Sequence, residues 1–132
     1  MVFKLVRRAV AAASAILILA SGAMTGVAAA ADAPVNTVLP VISGTARDGS
    51  TLTASTGSWS GTQPLSYAYR WLRCDALGES CVDVDGATGE TYTLSSADVG
   101  ATMRVAVTAS NAAGDSSAVS DATGIVTETA PG

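Results

Sequence analysis

Beyond about residue 33 the chain is built from short runs in which apolar and polar residues alternate, and these runs are separated by Gly, Asp, Asn or Pro every eight to twelve residues or so. Alternation places residues two apart on one face of a strand. Strands of this length with turn residues between them are the pattern of an all-β sandwich or barrel. Six runs stand out. Residues 39–42 read as an edge strand, because Pro40 lacks the N–H that a ladder needs. In 50–55, Leu52 and Ala54 face one way and Thr51 and Thr53 the other. The run 65–74 sets Tyr67, Tyr69 and Trp71 on one face. Residues 90–94 contribute Tyr92 and Leu94, and 101–110 contribute Met103, Val105, Val107 and Ala109. The last run, 117–126, alternates least clearly. The expected core is Leu52, Tyr69, Trp71, Tyr92, Leu94, Val105 and Val107. No window after the first thirty residues has a helical period, and Ser and Thr compete with helix interiors for backbone hydrogen bonds.

The breakers between the runs have mechanical meaning. Asp48-Gly49 and Asp85-Gly86 are turn pairs, in which Gly accepts positive φ and Asp bonds its own backbone. Residues 111–114 read as a hairpin loop and 95–100 as a compact crossing between strands.

The first thirty-one residues have a different texture. Lys4, Arg7 and Arg8 precede an apolar stretch beginning at Ala9, and small residues follow up to Ala31. This is the three-part layout of a secretory signal peptide, with cleavage expected after Ala30 or Ala31. The alternative is an uncleaved anchor, since residues 9–31 are long enough to span a bilayer. The expected organisation is a helical signal peptide at 1–31, a linker at 32–36, a β-sandwich domain at 37–127 and a tail at 128–132. The mature part is expected to be secreted or held at the cell envelope, with no membrane span after cleavage and as a monomer.

Export changes the charge. Three of the seven basic residues lie in the leader, which leaves Arg47, Arg70, Arg73 and Arg104 against eleven acids and a net charge of −7. Such a surface repels phosphate backbones and disfavours nucleic acid as a partner.

Several motifs then resemble one family. The run SYAYRWLRC is followed by Gly86-Ala87-Thr88, Tyr92-x-Leu94, Asp98-x-Gly100 and the loop 111–114. In this order they resemble the immunoglobulin-like repeats of bacterial secreted and cell-surface proteins, over nearly all of residues 34–126. The resemblance implies an immunoglobulin-like antiparallel β-sandwich of about seven strands. Trp71 would lie in the core with Tyr92 and Leu94 facing it, and the turn containing Asp98 would precede the penultimate strand. It implies a non-catalytic role as an interaction, adhesion or spacer module, with an unknown protein or glycan at the cell envelope as partner.

Cys74 and Cys81 lie seven positions apart, too close for the inter-sheet bridge of antibody domains. In an exported chain, two cysteines and no others read as one disulfide, here clipping the loop after the Trp71 strand. Closing so short a loop is worth about 2–2.5 kcal/mol on the chain-entropy model.

Catalytic chemistry is scarce. There is no histidine, which removes Ser-His-Asp and Cys-His arrangements and the commonest metal ligand. The acids Asp75, Glu79, Asp83, Asp85 and Glu90 read as a solvated rim, and the calcium-loop spacing is missing. No catalytic residue, cofactor or metal ligand is assigned. Trp59, in a Gly-Ser-Trp-Ser-Gly context, is the candidate ligand contact. With the loop aromatics it would serve a carbohydrate-binding module, the alternative function; otherwise its ring folds back over the end of the sandwich.

Overall fold

The computed structural model describes residues 30–129, and all but the last two residues of the leader lie outside that range. From residue 31 onward the described residues form one compact unit. Within the described residues the structure is nearly all β, with nine strands in antiparallel sheets and a single 3-10 turn.

The strands are β1 (Val35–Val38), β2 (Ile42–Ser43), β3 (Thr51–Ala54), β4 (Ser58–Ser60), β5 (Ser66–Cys74), β6 (Val82–Asp83), β7 (Thr91–Thr93), β8 (Thr102–Asn111) and β9 (Gly114–Val119). They form a four-stranded sheet in the order β9-β8-β5-β6, a three-stranded sheet β2-β3-β7, and a ribbon β1-β4. The central pair is β5 and β8, in register from Ser66↔Ser110 to Cys74↔Thr102. β9 folds back on β8 from Asn111↔Gly114, so residues 111–114 are the expected hairpin.

Alternation explains the core. Trp71 on β5 and Met103, Val105, Val107 and Ala109 on β8 are buried on the inner face of the large sheet. From the small sheet, Leu52 and Ala54 pack with Trp71, Met103 and Val105, and Leu94 and Val126 complete the cluster. The result is a β-sandwich-like arrangement with one core. Trp71 stacks on Tyr92 with ring centroids 5.6 Å apart, and its indole N–H donates to the carbonyl of Gly89 at 2.8 Å. That bond satisfies the polar edge that burial would otherwise leave unpaired.

Several sequence expectations need correction. Tyr69 and Tyr92 pack against the core but stay partly exposed. The small sheet has strands of only two to four residues, so burial fades along β5 from Trp71 through Tyr69 to Tyr67, which is 41% exposed. The first strand begins at Val35, inside the segment read as linker. At Pro40 the chain leaves β1 and re-enters pairing as β2, so 39–42 is a break rather than a strand. The final strand is Gly114–Val119, not 117–126; beyond it, Val126 is buried and Thr127 bridges Arg47 in parallel. β4 and β6 are additional, and β1 and β2 stand where one edge strand was expected, which makes nine strands among the described residues rather than about seven.

Close backbone approach explains one glycine. Gly57, between β3 and β4, has φ +76°, and a Cβ there would run into the carbonyl oxygen of Val38 on β1. Only glycine fits that conformation and that gap.

The two ends of the domain are distinct. The ten-residue β8 spans about 33 Å at the usual strand rise. At the hairpin end, the carbonyl of Asp32 accepts from Asn111 (2.7 Å) and from the Thr62 N–H (3.1 Å). At the other end, Thr127 exchanges backbone bonds with Ala46 and Asp48, and the Thr129 hydroxyl donates to the Asp48 carbonyl. The domain thus receives the chain at one end and releases it at the other.

Candidate functional site

The sequence-derived candidates do not converge on one place. Trp59 sits on β4 opposite Asn36 of the edge strand β1, partly buried, with its indole N–H donating to the Thr56 carbonyl at 2.7 Å. The ring is therefore fixed by its own connection and keeps part of its surface exposed. Asn36 stitches the irregular register beside it, donating to the carbonyls of Val38 and Ser58. Tyr67 lies on a different strand, and the stacked aromatic pair among the described residues is Trp71 with Tyr92.

The acids of the expected rim are all exposed. Asp83 pairs with Arg70 at 3.3 Å, but both side chains are more than half exposed, and such pairs add little stability. Among the described residues, no group of three or more His, Cys, Asp or Glu could hold a metal ion. A cavity of about 120 Å³ opens between the β1–β2 bend and the segment after β9, lined by Pro40, Val41, Ile42, Asp121, Ala122 and Thr123. Its single carboxylate is Asp121.

Cys74 and Cys81 are bonded as expected. The loop they close is organised from within. Asp75 Oδ1 accepts from the amides of Leu77 and Glu79, each at 2.9 Å; the Asp75 N–H donates to the Glu79 carbonyl at 2.7 Å, and the Gly78 N–H to the Asp75 carbonyl at 2.9 Å. It is also tied to β8: the Thr102 hydroxyl donates to the Asp75 carbonyl at 2.7 Å and the Arg104 Nε to the Gly78 carbonyl at 3.0 Å. Gly78, at φ +80°, lies against Ala122 and the Arg104 guanidinium. Leu77 stands at the tip, 81% exposed.

The strongest electrostatic feature lies in the crossing between β7 and β8. The 3-10 turn Ser96–Asp98 is capped by Ser95, and Asp98 returns its carboxylate to the Ser95 N–H at 2.9 Å, a capping box. Asp98 is fully buried. It also accepts from Arg73 Nε at 2.7 Å and the Tyr92 hydroxyl at 2.8 Å. Burial pushes the Asp98 carboxyl up, but the Ser95 amide, the Arg73 guanidinium and the Tyr92 hydroxyl outweigh it and hold its pKa below the ordinary aspartate value. The Tyr92 hydroxyl is shifted up by burial and then by its bond to Asp98. The network ties β5, β7 and the crossing together.

This centre was not assigned from the sequence, although two signals were present. Arg73 has the same strand parity as Trp71, so it places a charge on the core face, which demands a counter-ion. Ser95 and Asp98 have the spacing of a capping box, with Asp in place of the usual Glu or Gln.

Among the described residues no helix is long and apolar enough to cross a membrane. No family model matches the chain, and neither the curated proteins nor the solved structures contain a significant match.

Proposed function

We propose that the chain is an exported, non-catalytic immunoglobulin-like domain that acts at or beyond the cell envelope as an interaction, adhesion or spacer module. The carrying observation is that the chain enters and leaves at opposite ends of the domain, with both ends anchored by hydrogen bonds. A module so connected keeps anything attached at one end away from anything attached at the other. The four-stranded order β9-β8-β5-β6 facing β2-β3-β7 supports the immunoglobulin-like reading. The disulfide fits an oxidising compartment. Against catalysis stand the missing histidine and a cavity with one carboxylate, where a glycosidase of the usual kind needs two.

The test is a binding series with residues 31–132 on whole cells, isolated envelope fractions and a glycan array, run beside an activity panel of polysaccharide, ester and peptide substrates. Saturable binding without turnover is expected of an interaction module, and neither binding nor turnover of a spacer. Turnover abolished by Asp83→Asn, Asp85→Asn or Asp121→Asn would overturn the proposal.

A second reading, a carbohydrate-binding module, draws on Trp59, whose satisfied N–H leaves an apolar ring surface partly open. It expects glycan-array binding that Trp59→Ala removes.

A further inference from the structure

Single apolar residues on a surface are ordinary and need no explanation. Leu77 differs in how it is held. Among the described residues it is the most exposed large hydrophobic residue, at 81% against 39–59% for the other exposed ones. Most of those lie on strands or on the bends between them, whereas Leu77 sits at the tip of a loop of six residues closed by a disulfide. Asp75 fixes the amides on both sides of the tip, and Thr102 and Arg104 fix the loop to β8. A backbone ordered before any encounter loses little conformational freedom on binding, so a leucine displayed in this way is preorganised to be buried by something else.

The surroundings set the chemistry of that partner. Asp75 and Glu79 flank Leu77, and Asp121 follows Ser120, whose carbonyl accepts from Arg104. One guanidinium lies beside the tip: Arg104 donates from Nε to the carbonyl of Gly78, next to Leu77, and from Nη1 to that of Ser120, while Arg70 is paired with Asp83. Against that one cation stand Asp75, Glu79 and Asp121, so the tip is apolar in surroundings of net negative charge, on a domain of net charge −7. A second copy would bring the same acids against it, and a sugar gains little from an aliphatic side chain that offers neither a hydrogen bond nor a flat ring.

Resting on the interaction-module reading, we propose that the loop closed by Cys74 and Cys81 is the recognition element. Leu77 enters an apolar pocket on a partner protein whose rim carries Lys or Arg opposite Asp75 and Glu79.

The test pans a random peptide library displayed on phage against residues 31–132. Recovered peptides are then titrated calorimetrically against the wild type, Leu77→Ser, Asp75→Ala and the control Val82→Ser, which alters another exposed apolar residue. The expected peptides combine Leu or Phe with Arg or Lys. Leu77→Ser should weaken them by about tenfold or more, as loss of one buried leucine requires, and Val82→Ser should leave them unchanged. Asp75→Ala should weaken them too, with faster amide hydrogen exchange at Leu77 and Glu79 and a folded, cooperatively melting domain. Peptides that bind Leu77→Ser as well as the wild type would move the contact elsewhere and overturn this proposal while leaving an interaction module in place. Failure to enrich any peptide would overturn the basic, apolar partner proposed for the loop, while the interaction-module reading is decided separately by the binding series on cells and envelope fractions. Self-association of the wild type that Leu77→Ser abolishes in sedimentation would assign the loop to a second copy and overturn the basic partner.

Discussion

Asp98→Ala is the substitution with the largest electrostatic consequence. The carboxylate is fully buried and accepts three short bonds, from the Arg73 guanidinium, the Tyr92 hydroxyl and the Ser95 amide. Bonds to a charged group contribute about 1.5–3 kcal/mol each, but they share one acceptor and do not add. Removing one member of a buried ion pair costs about 3–5 kcal/mol, because the partner is stranded. The Arg73 side chain is 31% exposed and recovers some hydration, whereas Tyr92 and the Ser95 amide are left without their acceptor. The expected loss is thus about 3 kcal/mol, toward the lower end of that range, against a total of about 5–15 for a domain. Asp98→Asn should cost less, since its carbonyl still accepts from Arg73, but its NH2 group cannot accept from the Ser95 amide. Urea unfolding of the purified domain measures both. A loss under about 0.5 kcal/mol for Asp98→Ala, the size of an ordinary surface change, would refute the buried network.

The same carboxylate predicts a pH dependence. Its pKa is lower in the folded state than in the unfolded chain, so its contribution is complete above the unfolded value, about 3.9, and is lost as the pH falls through the folded value. Wild-type stability should therefore decline more steeply than that of Asp98→Asn below about pH 4, and the two curves should converge in acid. Parallel curves would place the charge outside the network.

Three further outcomes rest on the packing. Trp71→Ala, which removes a fully buried ring and its bond to Gly89, should cost about 3–5 kcal/mol in urea unfolding. Gly57→Ala should destabilise the domain, because the residue has φ +76° and its Cβ would meet the Val38 carbonyl; an unchanged melting temperature would mean that β1 lies elsewhere. Replacing Cys74 and Cys81 together by Ser should cost about 2–2.5 kcal/mol, yet hydrogen exchange should still show protected amides at Leu77 and Glu79, because Asp75 holds them independently of the disulfide.

The strands β3, β5 and β8 were legible because each carries its own alternation. Leu52 with Ala54, and Met103 through Ala109, mark a face whatever their neighbours do. β1, β4 and β6 are two to four residues long, and whether they count as strands depends on what lies beside them. Trp59, between serines and glycines, has no pattern that could announce its pairing with Asn36. The expected run 117–126 covers only the second half of β9; residues 114–116, GDS, have no strand pattern of their own and become strand because the hairpin turns them onto β8. Tyr69 shows the opposite failure: its parity was right, but parity does not say how far the facing sheet extends. Asp98 was placed in its turn without its burial being foreseen, since that depends on Arg73, twenty-five positions away, arriving at the same point. The Cys74–Cys81 pairing was legible from number and spacing, but the hydrogen bonds that raise Leu77 at its tip were not.

The most direct test of the central claim is equilibrium binding of residues 31–132 to intact cells and envelope fractions, with Leu77→Ser measured in parallel and substrate turnover assayed in the same preparations. The predicted result is saturable binding that the substitution weakens about tenfold or more, with no turnover. Turnover that depends on one of the exposed acids would contradict the non-catalytic reading, and binding indifferent to Leu77 would contradict the assignment of the contact to the disulfide-closed loop.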